Sequence, residues 1–213
     1  MSTIGHVFRF AGIAIAVAAA TPSAQAAMVS YPNDRAGFVA STGATSIGIL
    51  TAGASGTSLS VGGVTFITDS GTLFFGDFSS RVPGNEMIIS AAENFHVTLP
   101  SGVFSFGFDL YEPTFAGPSG CNTGTCVDDN FTIEVLSGAT SLGSFAYNAP
   151  DDNGAGPVAL GFFGVCSNVA FDRVVVRDIT GNADNEMFAN FLKGSVPTPA
   201  RGTSWGRLKI LYR

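Results

Sequence analysis

The sequence predicts an all-β fold, an antiparallel two-sheet sandwich of jelly-roll type. The clearest observation is the alternation over residues 103–110, where large apolar side chains occupy every second position: Phe104, Phe106, Phe108 and Leu110. A period of two places these side chains on one face of a strand and the small or polar ones on the other. One solvated face favours antiparallel sheets, because strands of parallel sheets are apolar on both faces.

Repetition of such segments along the chain is the second observation. Ten more segments are predicted as strands: residues 46–51, 64–68, 72–75, 87–90, 95–99, 131–135, 141–147, 160–165, 169–177 and 187–192. Turns rich in Gly, Pro, Asn and Asp separate them, as in sandwiches and barrels. No segment after residue 26 has an apolar period of 3.6, and only residues 90–93 suggest a helical turn.

Composition is the third observation. Charged residues make up 12% of the 213 residues, whereas the chain has 27 Gly and 19 Phe. Such a chain can bury enough apolar surface to offset the entropy lost on folding, which excludes intrinsic disorder. The net charge is −6, and all 16 acidic residues lie between Asp34 and Glu186. An acidic body repels nucleic acid, so nucleic acid is excluded as its partner.

The first 26 residues have the pattern of a secretory signal peptide. His6 and Arg9 precede an apolar run over residues 10–20, and Ala24-Gln25-Ala26 supplies an A-x-A cleavage site. The run is about half the roughly 20 residues that a membrane span requires. We therefore predict an exported protein, secreted or on the cell surface, whose sandwich domain covers residues 27–194. A buried N-terminal helix is the alternative.

Residues 195–213 are predicted as a flexible basic tail. Pro197 and Pro199 lack the backbone N–H that a central strand requires, so this stretch is interpreted as a linker. Trp205 and four basic residues complete the tail: Arg201, Arg207, Lys209 and Arg213. Since no run in it is long or apolar enough to span a bilayer, we expect no transmembrane anchor in this chain.

The three cysteines have two predicted roles. Cys121 and Cys126 flank a short Gly-containing loop, and export permits a disulfide between them. A metal site is the alternative, although the spacing lacks the second Cys pair or nearby His that zinc sites have. Cys166 lies in an apolar run and is predicted to be a small buried hydrophobe.

Acidic loops provide the candidate metal ligands. Calcium prefers oxygen ligands from short loops of this kind, and the candidates are Asp184, Asp128 and Asp129. Asp184 is preferred by analogy of fold, since comparable sandwiches hold calcium beside the last strand. A structural calcium ion is the only cofactor that the sequence suggests. Solvated turns that keep a Lys-poor protein soluble are the alternative.

Aromatic residues beside the two longest loops are candidate ligand-binding residues. Tyr111 and Phe115 lie at the mouth of the first loop, and Tyr147 leads into the second. Loops at the end of a sandwich are frequent binding sites, and exposed rings there would stack on sugars. Core packing or loop anchoring is the alternative.

Signs of catalysis are few. His96 is the sole histidine after residue 26 and lies in a predicted strand. The sequence contains no Gly-x-Ser-x-Gly elbow that would place a nucleophilic serine, which argues against a catalytic triad. P-loop and dinucleotide fingerprints are absent from the sequence. Paired carboxylates for glycoside hydrolysis stay open, with Asp109, Glu112 and Glu134 as the candidates.

Several phrases of the sequence resemble bacterial exported proteins that carry a PEP-CTERM sorting signal. These phrases are Phe106-Gly107-Phe108-Asp109-Leu110, Phe162-Phe163-Gly164-Val165 and Asp184-Asn185-Glu186-Met187-Phe188. Members of that group join a signal peptide to a Gly- and Phe-rich sandwich and end in Val-Pro-Glu-Pro-Ala, an apolar helix and a basic cluster. Here Thr198 replaces the Glu and the apolar helix is missing, so the tail is interpreted as a degenerate sorting signal. The resemblance implies surface export linked to extracellular polysaccharide.

Together these observations predict a non-enzymatic exported protein of the cell surface or extracellular matrix that binds exopolysaccharide. Two alternatives stay open. One is a secreted glycan-acting enzyme with paired carboxylates, and the other is a purely structural surface component.

Overall fold

A computed structural model describes residues 26–79, 82–111, 130–150, 160–179 and 186–197. These ranges contain one helix, α1 (Arg35–Thr42), and twelve strands. The strands are β1 (Met28–Pro32), β2 (Thr45–Ser46), β3 (Ser55–Gly56), β4 (Ser58–Val61), β5 (Val64–Thr68), β6 (Leu73–Gly76), β7 (Glu86–Ile89), β8 (Phe95–Tyr111), β9 (Asn130–Ser137), β10 (Thr140–Asn148), β11 (Leu160–Asp178) and β12 (Met187–Gly194).

Every pairing between the described strands is antiparallel. The prediction of an all-β, antiparallel protein is therefore confirmed. Some boundaries differ from the predicted ones. Residues 95–99 and 103–110 form the single strand β8, and residues 160–165 and 169–177 form the single strand β11. Of the predicted strand over residues 46–51, only Ser46 is paired.

The pairings divide the strands into two groups that share β8 and β11. The first strand group has the order β4, β5, residues 95–98 of β8, residues 173–178 of β11, β9 and β10. The second strand group has the order β1, residues 160–166 of β11, residues 105–111 of β8, β12, β7, β6 and β3. Strand β2 also pairs with β12. Each shared strand changes register between its two halves.

The main core contains residues of both strand groups, and Phe is its most frequent residue, with ten of the 27 buried side chains. Phe95 and Phe66 of the first group lie 4.9 Å and 4.6 Å from Phe188 and Phe191 of the second, measured between ring centroids. Such aromatic pairs contribute about 0.5–1.5 kcal/mol beyond the area they bury. The predicted alternation therefore does build the core.

Phe104 is the exception within that alternation. Phe106, Phe108 and Leu110 are buried in the core, but Phe104 is half-buried and Val103 takes the core position instead. The reason is the irregular pairing of β8 with β11 at this point, which shifts the alternation by one residue.

Helix α1 was not predicted, and the turn suggested at residues 90–93 is not helical. Asp34 caps the helix by accepting the Gly37 N–H at 2.9 Å, and Gly43 (φ 61°) ends it in the left-handed conformation. Phe38 and Thr42 are its only buried residues, too few to produce a recognisable apolar period.

Phe38 holds α1 against the outer side of the second strand group. Its ring centroid lies 5.4 Å from that of Phe162 on β11 and 5.7 Å from that of Tyr31 on β1. Glycine is required beneath it, because a Cβ at Gly164 would lie 2.7 Å from the Phe38 ring. In the part of the chain that the structure describes, no helix is sufficiently long and apolar to span a membrane.

Candidate functional site

A cleft of mixed polar and apolar lining lies where the start of α1 meets the second strand group. Its volume is about 450 Å³, within the range of ligand pockets. The lining residues come from the β1–α1 turn, from β8, β11 and β12, and from the segment before β7: Asn33, Arg35, Pro83, Asp109, Leu160, Gly161, Phe162 and Asn190.

Asp109 provides the carboxylate of the cleft. Its neighbours on β8, Phe108 and Leu110, face the core, so the Asp109 side chain projects from the opposite face of the strand. The carboxylate is held on both oxygens. Arg35 Nε lies 3.2 Å from Oδ1, and Asn190 Nδ2 donates to Oδ2 at 2.9 Å.

Burial changes the acidity of this group. Only 6% of Asp109 is exposed, and the loss of solvation raises the pKa of its carboxyl above the usual value for aspartate. The hydrogen bond from Asn190 and the charge of Arg35 lower the same pKa without cancelling the effect of burial. Asp109 therefore accepts a proton more readily than an exposed aspartate does.

Asn190 reaches Asp109 because β12 contains a β-bulge. The register of β12 against β8 shifts at this point, and the backbone of Asn190 is left-handed, with φ of 49°. The additional residue allows Phe188 and Phe191, three positions apart, to face the core together. Asparagine tolerates this conformation better than most residues with a side chain.

Asn33 is the second asparagine with a left-handed backbone in the cleft, with φ of 55°. Its Oδ1 accepts the hydroxyl of Tyr147 at 2.9 Å and the N–H of Phe162 at 3.2 Å, and its own N–H donates to Phe162 O at 2.7 Å. Unfavourable backbone conformations concentrate at functional sites, where the surrounding structure enforces them. Two of them in one cleft mark it as a candidate site.

A buried carboxylate organises one wall of the cleft. Glu86 is fully buried and accepts the N–H groups of Phe78 at 2.9 Å, Ser79 at 2.8 Å and Val82 at 3.4 Å, together with the Ser79 hydroxyl. These bonds hold Phe78, Ser79 and Val82, the last of which directly precedes Pro83 of the cleft. The rim is also partly apolar, because 38% of Leu160 is exposed.

Arg35 provides the positive charge of the cleft. It is the first residue of α1, directly after the Asp34 cap, and 47% of its side chain is exposed. Its Nε contacts Asp109, so the guanidinium contributes donors at the opening of the cleft. The cleft thus combines a carboxylate acceptor, amide and guanidinium groups and an apolar surface.

Tyr111 and Tyr147 are both buried, with 3% and 4% exposed. Tyr111 packs with Val82, Met187 and Ala189, whereas Tyr147 packs on Phe163 and supports Asn33 from beneath the cleft. This is the packing role that the sequence left open, and sugar stacking on these rings stays a prediction. Six other predicted site residues lie outside the described residues: Cys121, Cys126, Asp128, Asp129, Asp184 and Phe115.

The structure does not pair the carboxylates suggested for glycoside hydrolysis. Asp109 lies on the second strand group and Glu134 on the first, and the neighbours of each in sequence face the shared core. Each carboxylate therefore projects away from that core, and Glu134 is not among the residues that line the cleft. Glu112 lies outside the described residues.

The remaining candidates lie away from the cleft. His96 is half-buried on the first strand group, with Nδ1 3.4 Å from Asp69 Oδ1. Cys166 is free and 1% exposed, which confirms its predicted burial. Its Sγ lies 3.8 Å from the Tyr31 hydroxyl, and burial raises the pKa of Tyr31. In the described ranges, no group of three or more His, Cys, Asp or Glu side chains is placed to hold a metal ion.

Sequence reasoning missed Asn33, Arg35 and Asn190. Asn190 had a readable signal, because Phe188 and Phe191 are three positions apart in a segment that otherwise reads as a strand. A break in alternation of this kind predicts a bulge. Arg35 had no such signal, since its partner Asp109 is 74 positions away.

No protein-family model and no curated protein matches the chain. Two solved structures show a distant similarity, each with a TM-score of 0.38 and 17% identity. One is the enzymatically active domain of tailspike protein 4 of bacteriophage CBA120, over 62% of this chain and 19% of that chain. The other is a mutant of the family 29 carbohydrate-binding module CBM29-2 complexed with mannohexaose, over 73% and 94%. The chain thus spans about a fifth of the tailspike chain.

Proposed function

We propose that this chain is a non-enzymatic glycan-binding protein whose binding site is the cleft around Asp109. The carrying observation is a buried carboxylate, held by Arg35 and Asn190, that lines an open cleft. Fixed acceptors beside fixed donors suit sugar hydroxyls, each of which both donates and accepts. Because neighbouring residues hold these groups in place, they lose little freedom when a sugar binds.

The ligand class is a neutral polysaccharide. A net charge of −6 repels polyanions, so an acidic polymer would approach against the field of the protein. Two neighbouring hydroxyls of a neutral sugar would donate to the Asp109 carboxylate and accept from Arg35. Leu160 and Pro83 at the rim offer apolar surface to the C–H groups of the ring.

The architecture and location that we propose with this function follow the sequence analysis. The two strand groups are taken as the two layers of a jelly-roll-like sandwich, supported by the ring contacts between them. The chain is taken as exported to the cell surface or matrix, as the N-terminal pattern and the resemblance to PEP-CTERM proteins suggest.

A glycan-acting enzyme is the second candidate, and one observation favours it. Burial raises the pKa of Asp109, as it does for the general acid of many glycosidases. Among the described lining residues Asp109 is the one carboxylate, so a partner acid would have to come from elsewhere in the chain.

The test is quantitative binding of the purified protein to a panel of neutral and acidic polysaccharides by affinity electrophoresis and calorimetry. We expect binding to at least one neutral polymer and a roughly 10- to 100-fold loss for Asp109→Asn, the effect of a lost charged hydrogen bond. Asp69→Asn is the matched control. It removes an arginine-paired carboxylate directly after β5, where Arg177 Nη2 lies 2.8 Å from Asp69 Oδ2, and binding should not change.

Three results would contradict the proposal. The first is no binding to any polymer, and the second is equal binding by Asp109→Asn and the wild type. The third is release of new reducing ends that depends on Asp109, which would favour the enzyme instead.

A further inference from the structure

The first strand begins its pairing one residue after the predicted cleavage site. Ala27 N donates to Asn168 Oδ1 at 2.7 Å, and Asn168 N donates back to Ala27 O at 3.1 Å. The ladder between β1 and β11 continues with Met28 opposite Ser167. Ala27 is thus held by a side chain in addition to the backbone.

Asn168 faces Ala27 at the point where the pairing of β11 with β8 is irregular. Ser167 is fully buried, and its hydroxyl accepts the Val169 N–H at 3.0 Å. The regular pairing of β11 with β8 has ended at Cys166. Asn168 therefore places its amide oxygen at the end of β1.

Cleavage after Ala26 would change the group that donates a hydrogen bond to Asn168 Oδ1. Hydrolysis of the Ala26–Ala27 peptide bond consumes one water and leaves a carboxylate on Ala26 and an ammonium on Ala27. The nitrogen that now donates to Asn168 as an amide would then carry a positive charge. Hydrogen bonds from charged donors are shorter and roughly twice as strong as neutral ones.

We propose that Asn168 is the docking site for the processed N-terminus, an α-ammonium on Ala27. The same strand leads to Asn33 and Arg35, both of which line the cleft. Processing would therefore anchor the segment that carries two cleft residues. The docking itself does not depend on glycan binding; only its consequence for the cleft rests on the proposed function.

The test begins with full-length protein produced in a bacterium that secretes it. N-terminal sequencing should give Ala27 as the first residue. The α-amino group of the processed protein is then acetylated, with mass spectrometry to confirm the modification, and thermal unfolding is compared. Acetylation keeps one N–H at Ala27 but removes the charge, and we expect Tm to fall by about 2–4 °C.

Variants of Asn168 make the test specific. In Asn168→Ala the effect of acetylation should disappear, whereas in Asn168→Asp it should grow because the acceptor is charged. Asn94→Ala is the matched control, since Asn94 Oδ1 likewise accepts a backbone N–H, from Asp178 at 3.1 Å, and acetylation should act there as in the wild type. Acetylation also modifies lysines, but the effect of that modification on Tm is common to all these proteins and cancels when they are compared.

The proposal is overturned if the secreted protein starts at another residue, or if acetylation lowers Tm equally in Asn168→Ala and the wild type. Asn168→Asp provides a second reading if Asn168→Ala does not fold, and an unchanged acetylation effect there also overturns it. If the wild type binds no polysaccharide but its Tm responds to acetylation as expected, only the proposed function is refuted.

Discussion

Burial gives Asp109 two properties that an exposed aspartate lacks. Its hydrogen bonds to a ligand form away from water, where they are stronger, and its charge is costly to keep. Arg35 and Asn190 offset part of that cost, but the pKa of Asp109 stays raised. Folding therefore changes the proton affinity of Asp109, and the pH dependence of stability is a direct probe of the site.

The pH dependence of stability follows from this raised pKa. Above the folded-state pKa the buried charge costs stability, and below the usual aspartate pKa of about 3.9 both states are protonated and the cost is absent. Stability of the wild type relative to Asp109→Asn should therefore improve as pH falls from 7 to 4. Thermal unfolding of both proteins across this range measures the difference. A constant difference, or one of opposite sign, would contradict the assignment.

Glu86 supports the cleft at one remove. Replacing it with Gln keeps the size but turns one acceptor oxygen into an NH₂ group, so in either amide orientation at least one backbone N–H, that of Val82 or those of Phe78 and Ser79, loses its acceptor. Leaving buried donors unsatisfied costs about 1–3 kcal/mol each, so we expect Glu86→Gln to lower the free energy of unfolding by at least that much. Denaturant titration measures it. Glu134→Gln, on the outer side of the first strand group, is the control, and equal values for both variants would refute this role.

At the scale of elements, the bulge in β12 and the helix α1 bring the cleft together. The bulge turns the Asn190 amide toward Asp109, and α1 places Arg35 opposite it. Neither element is long or strongly patterned. A packing contact through Phe38 holds the helix, and the bulge exists because two core Phe residues are three positions apart.

Substitutions at Asn190 separate the backbone of the bulge from its amide. Glycine adopts a φ of 49° without strain, so Asn190→Gly should fold normally and lose polysaccharide affinity. Valine at that φ is strained, so Asn190→Val should lose roughly 1–2 kcal/mol of stability as well. Calorimetric binding and denaturant titration together measure both effects. Normal affinity of Asn190→Gly would show that the amide is not used.

These elements also mark the limit of prediction from the sequence. Alternating Phe residues predict strands because the signal is local, and β9, β10 and β12 were found close to their bounds. Arg35, Asp109 and Asn190 meet through pairings between distant strands, which no local pattern records. Of the three carboxylates suggested for glycoside hydrolysis, Asp109 lines the cleft, Glu134 is not among the lining residues, and Glu112 lies outside the described residues.

At the scale of the molecule, β8 and β11 connect the two strand groups. Each runs through both strand groups, and the Phe188 ring of the second group contacts Phe95 and Phe131 of the first at 4.9 Å and 5.9 Å. Neither group can open without breaking strands that also belong to the other. The cleft, on the outer side of one group, thus depends on the packing of both.

This connectivity predicts a single cooperative unfolding transition. Secondary structure, followed by far-ultraviolet circular dichroism, and aromatic packing, followed in the near ultraviolet, should be lost at the same denaturant concentration. Phe188→Leu removes ring contacts between the groups and should shift both signals together, by on the order of 1–2 kcal/mol. Phe78→Leu is the control, because 40% of Phe78 is exposed and its change should be within about 0.5 kcal/mol. Separation of the two signals in the wild type or in Phe188→Leu would mean that the strand groups unfold independently, and the cleft would then rest on the second group alone.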